Sequence, residues 1–289
     1  MIVFVILHYQ DADITYQCVA AIEKIMKESE YHIVIVDNAS PYEIGMELEE
    51  YYKENSHCTV LLNKQNLGFA KGNDVGYLYA KKNFSPQYIV VMNNDVMIED
   101  SDFFQKVENI YQETQFDILG PNIIQSRTGQ KQNPMRMHSK DELLHIYKSY
   151  RRKHSFPRLY FTIETLQGKV KRKLGRQRSI TVSEKKTTME PMVKRIYNPI
   201  LHGACYICSK KFIQCEDELF DPRTFLYWEE YLLWIKCNER KYTLVYDSSV
   251  SVQHLSGHAT VKAQQDAYKR TKDFYHNYPE LFTEQYLNW

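Results

Sequence analysis

Tyr31-His32-Ile33-Val34-Ile35-Val36-Asp37-Asn38-Ala39-Ser40 is the stretch whose reading decides the fold. Four consecutive β-branched residues form an apolar run with no alternation, which marks a strand buried on both faces. The run ends abruptly in Asp-Asn-Ala-Ser, and Pro41 then opens a helical pattern through Tyr52, with Ser40 placed to cap it. The same grammar extends outward. Ile2–Leu7, Cys58–Leu62 and Tyr88–Met92 are apolar runs, separated by helical patterns at Ile14–Lys27 and Gly68–Lys82. Asp102–Gln112 is a further helix, followed by a short strand from Asp117 to Leu119 that stops at Gly120-Pro121. Buried strands alternating with helices predict a mostly parallel α/β sheet with helices on both faces. Such sheets bind ligands beyond the carboxyl ends of their strands. Four strand ends here are polar: His8-Tyr9-Gln10, Asp37–Ser40, Asn63–Gly68 and Asn93-Asn94-Asp95.

The pattern breaks over residues 122–200 and resumes in an apolar strand, Leu201–Cys208. Helices follow at Ser209–Gln214 and Tyr227–Glu239, with extended segments at Thr243–Tyr246 and Val250–His254. Three parts are therefore expected: 1–121 as a ligand-binding half, 122–200 as an insertion with helical character at Lys140–Arg152 and Gln167–Arg176, and 201–289 as the second half of the same domain. Residues 148–195 hold 15 Lys/Arg against 3 Asp/Glu, a local +12 in a chain of net charge +1, which leaves −11 for the remainder. A basic segment on an acidic body suits an anionic membrane, a phosphorylated lipid or a polyanion. No nucleic-acid motif accompanies it. Cys205 and Cys208 form a CxxC without a second pair at zinc spacing, and they are expected to be buried thiols on opposite faces of a strand. Met1–Leu7 lacks a basic lead and a cleavage site, and no 18-residue apolar run occurs. The expectation is a cytoplasmic protein with peripheral contact at the inner face of the cell membrane. The 23 tyrosines suit sugar or nucleotide surfaces as well as an ordinary core.

The order of motifs resembles that of family 2 glycosyltransferases, especially the rhamnosyl- and galactosyltransferase-like members of bacterial polysaccharide assembly. The resemblance is carried by His8-Tyr9-Gln10, Val36-Asp37-Asn38-Ala39-Ser40, Asn66-Leu67-Gly68-Phe69-Ala70-Lys71-Gly72-Asn73-Asp74-Val75-Gly76, Asn93-Asn94-Asp95, Tyr227-Trp228-Glu229-Glu230 and His254. It spans residues 2–120 and 201–258 and implies the GT-A fold. It also implies site roles. Asp37 would accept a hydrogen bond from the pyrimidine of the donor, with Tyr9 beside the base. Asn38, Asn66, Gly68, Asn73, Asn93 and Asn94 would line the nucleotide. Asp95 would hold Mn2+ or Mg2+ on the donor diphosphate, with His254 completing the metal site and His258 as a second candidate. The family's D-x-D has Asn93 at its first position here. The family's Glu-Asp pair is Glu229-Glu230, so that Glu230, or Glu229, is the base that takes the acceptor hydroxyl proton. Trp228 and His202 would face the acceptor.

The function implied is inverting transfer of a hexose from a UDP- or dTDP-sugar to a saccharide or lipid-linked hydroxyl. Two other classes compete. A nucleotidyltransferase would carry a Gly-, Arg- and Lys-bearing loop after the first strand, yet Leu7–Ile14 contains none of these residues. A non-catalytic nucleotide-sugar-binding homologue would keep the fold without needing Asp37, Asp95 and Glu230 together.

Overall fold

The computed structural model describes residues 1–26, 30–137, 142, 194–226 and 228–255. Contacts divide the chain into two units, Met1–Met137 with Lys194–Phe274, and His138–Val193 with Tyr275–Trp289. All described residues but Glu142 belong to the first. The helices expected at Lys140–Arg152 and Gln167–Arg176, most of the basic segment, Tyr227 and His258 lie outside the described residues.

The elements are β1 (Ile2–His8), α1 (Ala12–Ile25), β2 (Tyr31–Asp37), α2 (Ile44–Tyr52), β3 (Cys58–Leu62), α3 (Gly68–Asn83), β4 (Tyr88–Asn93), β5 (Val96–Met97), α4 (Phe103–Thr114), β6 (Ile118–Gln125), β7 (Arg195–Tyr197), β8 (Cys205–Ser209), α5 (Lys210–Cys215), α6 (Glu229–Glu239) and β9 (Leu244–His254). The sheet runs β3-β2-β1-β4-β8-β6-β9-β5, with β7 also on β9. Strands β3, β2, β1 and β4 are parallel, so their polar ends share one rim. Strand β8 lies antiparallel to β4 and β6, whereas β9 is parallel to β6. The sheet is thus mostly parallel, as expected, with β8 reversed at its centre and β5 and β7 antiparallel to β9.

Each face of the sheet carries its own apolar layer. Ile2, Phe4, Ile6, Ile33 and Ile35 pack with α1 and α4 on one side, and Val3, Val5, Val34 and Val36 pack with α3 on the other. Cys205 and Cys208 fall in opposite layers as buried thiols, as period-2 geometry requires. Among the tyrosines, Tyr77, Tyr88 and Tyr206 are fully buried while Tyr42 and Tyr51 are exposed.

Two boundaries differ from the sequence reading. Strand β6 does not stop at Gly120-Pro121 but continues to Gln125. The two extended segments beyond Thr243 form one strand, β9. The cause is a register shift between Pro121 and Asn122: Pro121 pairs with Asp247 and Asn122 with Ser251. Proline cannot donate to the ladder, and a bulge is where a sheet accommodates that. Leu201–Ala204 leads into β8 as loop rather than strand.

Helix α3 sits close to the sheet because it has glycine where it touches. A Cβ at Gly72 would lie 2.7 Å from Leu7 Cδ1 and 3.1 Å from Asn38 Nδ2, and one at Gly76 would lie 2.7 Å from Val36 Cγ2 and within contact of Val5. These glycines face the protein's own strands. Gly76→Val is expected to lower the unfolding free energy by about 1–3 kcal/mol through overpacking, measured by urea denaturation. Lys71→Ala, on the exposed side of the same helix, should leave it unchanged.

Candidate active site

The rim at the ends of β1, β2 and β4 collects buried polar groups. His8 ends β1 and is fully buried. Its Nδ1 lies 2.7 Å from Thr15 Oγ1, and its Nε2 lies 3.8 Å from Asp37 Oδ1 with no hydrogen-bond partner. Burial lowers its pKa, partly offset by Asp37 and Asp11, so the ring is neutral. Asp37, 4% exposed, accepts from Ser40 N–H at 3.2 and 3.3 Å. Ser40 was expected to cap α2 and leave Asp37 unengaged. Instead Ser40 Oγ accepts from Gln10 N–H at 2.8 Å, and Glu43, with a left-handed φ of 60°, starts the helix without a side-chain cap. The reason is local: Ala39, Tyr42 and Glu43 all take positive φ, which turns the chain back so that Gly45 packs against the Asp37 carboxylate. Tyr9, 37% exposed, stands on the open side of the rim.

Asn38 is the hub of the glycine-rich segment. Its Oδ1 accepts from Leu67 N–H at 2.9 Å and Asn63 Nδ2 at 3.2 Å, and its Nδ2 donates to the Gly68 carbonyl at 3.0 Å and Asn66 Oδ1 at 3.2 Å. Asn66 Oδ1 also accepts from Gly68 N–H at 2.9 Å. Gly68 takes a φ of +81°, and a Cβ there would run into the Phe225 carbonyl and ring; Phe69 N–H donates to that carbonyl at 2.7 Å. Asn73 donates to the Phe69 carbonyl at 2.9 Å and is 1% exposed. The segment expected to cradle a nucleotide thus also builds the loop that carries it. Asn94 likewise donates inward, to Thr15 Oγ1 at 3.0 Å and the Asp11 carbonyl at 3.4 Å, tying the β4 end to the first turn of α1.

The second half meets this rim through main-chain bonds. Asn93 N–H donates to the Ala204 carbonyl at 3.0 Å, and Leu255 N–H to the Asp95 carbonyl at 2.8 Å. His254 Nε2 lies 3.2 Å from Asp95 Oδ1, and His254 Nδ1 lies 2.7 Å from Gln132 Oε1. Gln132 Oε1 at Nδ1 holds the ring so that Nε2 faces the carboxylate. A carboxylate oxygen and an imidazole nitrogen this close can share a cation, and the Gln132 contact is the outer support that histidine ligands usually have. No group of three or more His, Cys, Asp or Glu that could hold a metal occurs among the described residues. One carboxylate and one imidazole therefore fit a Mg2+- or Mn2+-type ion only if a substrate's phosphate oxygens and water complete the shell, which is the usual arrangement for these ions.

His202 lies beside this pair, its ring centroid 5.9 Å from that of His254. Burial drops its pKa to about 4, helped by His254 and opposed by Asp95. Next to it, a Cβ at Gly203 would stand 2.9 Å from Glu230 Oε1. Glu229 and Glu230 open α6. Burial raises both pKa values; Glu230's charge raises Glu229's further, while the N–H of Gly203 draws Glu230's back down. Glu229 is 2% exposed with Oε1 unpartnered. Its pKa rises to about 8, so Glu229 holds its proton near neutrality. Trp228, at φ 75°, packs on Tyr231 at 5.1 Å.

Sequence reasoning missed Gln132, Asn133 and Asp74. Asn133 Oδ1 accepts from His202 N–H at 3.1 Å, and its amide donates to the Pro121 carbonyl at 2.8 Å. Asp74 Oδ1 accepts from Leu219 and Phe220 N–H at 2.8 and 3.2 Å, fixing the loop that leads to Glu229. Only Asp74 had a signal, its place within the Asn/Gly motif; the other two lie in a polar stretch without one.

Desolvation lifts the Asp74 pKa to about 7 against the pull of those two amides. The folded protein therefore keeps a proton between about pH 4 and pH 7 that the unfolded chain has lost, so this group's contribution to stability falls as pH rises through that window and is flat above it. Asp74→Asn keeps the acceptor and removes the titration. The difference in unfolding free energy between wild type and Asp74→Asn should change by about 1.4 kcal/mol per pH unit within the window, measured by urea titrations from pH 4 to pH 9.

The sequence model described as "Glycosyl transferase family 2" matches residues 3–175. No curated protein sequence matches the chain. Among solved structures, the mannosyltransferase PcManGT from Pyrobaculum calidifontis, in complex with GDP-Man and Mn2+, is 9% identical with a TM-score of 0.56, over 96% of this chain and 64% of its own. S. aureus TarS 1–349 in complex with UDP is 11% identical with a TM-score of 0.50, over 87% of this chain and 59% of its own. This chain thus spans less than two thirds of either. At such identities the likeness is one of fold, and that fold is GT-A-like.

Proposed function

Because the chain belongs to glycosyl transferase family 2, we propose that it transfers a hexose from a nucleotide-diphosphate sugar to a hydroxyl of a saccharide or lipid-linked acceptor. The observation that carries this reading is the meeting of three chemistries on one rim: the Asp37 carboxylate, the Asp95–His254 pair 3.2 Å apart, and Glu230 against Gly203. They come from both halves of the sequence.

In this reading Asp37 accepts a ring N–H of the donor base, with Tyr9 alongside. The assignment to UDP- or dTDP-sugars rests on the resemblance to family members, since guanine also offers a carboxylate its N–H edge; the similar structures hold UDP in one case and GDP-Man in the other. Asp95 and His254 would hold the divalent ion, which when bound neutralises charge on the departing diphosphate. Glu230 accepts the acceptor's hydroxyl proton while that oxygen bonds to the anomeric carbon and the carbon–phosphate-oxygen bond breaks, inverting the centre. Glu229, neutral behind it, adds no second charge. Trp228 and Gly203 flank the acceptor's approach. The basic segment 148–195 is assigned to an anionic carrier or membrane surface on charge alone, and a place in surface-polysaccharide assembly rests on the resemblance. Among the described residues no helix is long and apolar enough to cross a membrane.

The test is a screen of UDP-, dTDP- and GDP-sugars with Mn2+ for hydrolysis and transfer. One donor should turn over, with activity lost in EDTA and in Asp95→Ala. Glu230→Gln should lower kcat by about 100-fold or more while donor affinity persists. Nucleotide binding without turnover of any donor, with envelope glycans supplied, would establish the binding-protein reading instead. The pH profile gives a separate check. Burial raises the Glu230 pKa and a base must be ionised, so the acid limb of kcat/KM should lie above the ordinary glutamate range and rise with pH.

A further inference from the structure

His202 has no role that its structural partners explain. Its backbone N–H is taken by Asn133 Oδ1 at 3.1 Å, and its ring accepts the Ala204 N–H at Nδ1, 3.1 Å away. An amide N–H can only donate, so Nδ1 must carry the lone pair. The proton of the neutral ring is then on Nε2. Nε2 is not among the orphaned buried atoms, and no described residue accepts from it. The ring meets His254 edge-on at 5.9 Å, beside Asp95, and the next residue, Gly203, abuts Glu230. A pinned N–H donor therefore stands between the candidate cation pair and the candidate base.

We propose that His202 donates its Nε2–H to a phosphate oxygen of the bound nucleoside diphosphate, acting as a diphosphate-binding residue rather than as a metal ligand or an acceptor contact. A metal role would require Nε2 to give up its proton while Nδ1 is already engaged as an acceptor, which would leave an imidazolate. An acceptor-sugar role would leave the developing charge on the leaving diphosphate without this nearby neutral donor. A fixed N–H directed at charge that grows during the reaction is the kind of contact that contributes most in a dry site. This inference rests on the reading of the rim as a nucleotide-sugar site.

Three measurements separate the outcomes. The first is independent of any ligand: 15N–1H correlation of the histidine rings should show His202 as the Nε2–H tautomer, and the opposite tautomer overturns the proposal. The second is diphosphate binding by calorimetry with and without Mn2+, where His202→Ala should weaken binding in both conditions while His254→Ala and Asp95→Ala weaken only the part that Mn2+ adds. A loss in His202→Ala confined to the Mn2+-dependent part would make it a ligand and overturn the proposal. The third is titration of UDP, dTDP and GDP, and of the matching monophosphates, in Mn2+. His202→Ala should weaken the diphosphate that wild type binds by about tenfold or more and change the monophosphate by less than about twofold. His202→Gln, whose amide nitrogen reaches the same place, should recover most of the loss. Equal weakening of both nucleotides, or no weakening of the diphosphate, overturns the assignment. Wild type that binds none of the three diphosphates sinks the proposed function itself, a result legible without any variant. Thermal unfolding of both variants confirms that each is folded.

Discussion

The antiparallel insertion of β8 between β4 and β6 is the constraint on which the site depends. Because β8 runs against β4, with Met92 opposite Cys205, its first residue stands one residue short of β4's end. The loop carrying His202 and Gly203 is thereby delivered to the rim that the parallel half had already made polar. Two further strand directions follow. Strand β6 runs against β8, and β9 runs with β6, so β9 points the same way as β4 and its last residue, His254, ends opposite Val96. One reversal thus brings both the histidine beside Asp95 and the glycine beside Glu230 to the same edge. A wholly parallel sheet of the same strands would have sent the 202–204 loop to the far side.

Close packing holds that edge still. Glycines at 72 and 76 let α3 lie against β1 and β2, and the N-terminal turn of α3 is in turn bonded to Phe225 in the loop that leads to Glu229. Asp74, one turn along the same helix, accepts two amides of that loop. The donor side and the acid pair are therefore registered through one helix. Interiors at this density transmit displacements rather than absorb them, so a shift of α3 on the sheet would be felt at both.

Much of this was legible because buried strands have an unambiguous signature. Ile33–Val36 and Val90–Met92 could be little else, and their polar ends located the rim. The boundaries that failed were those where one backbone feature imitates another. Pro121 looked like the end of a strand and was a bulge within one; Ser248-Ser249 looked like a gap and was the other side of the same bulge. Ser40 before Pro41 looked like a helix cap, yet three left-handed residues delay the helix to Ile44 and make Ser40 the partner of Asp37 and Gln10. The supports at Gln132 and Asn133 were invisible for a different reason: each acts on a residue at least 69 positions away. Nothing local in a polar stretch betrays such pairing.

The neighbouring glutamates show why position alone would not assign a role. A helix N-terminus favours charge on both Glu229 and Glu230, and that argument cannot tell them apart. Burial opposes charge on both, and each charge raises the cost of the other. Each acid has its own contact. Gly203 brings its N–H to Glu230, while Thr224 bonds to Glu229 and leaves its Oε1 in the interior with no donor. The Gly203 contact favours the charged form at Glu230. Only a glycine leaves room for that approach, since a Cβ would sit 2.9 Å from the carboxylate oxygen. The amide that eases charge on the second acid comes from a residue 27 positions before it, on a loop that the β8 reversal delivered.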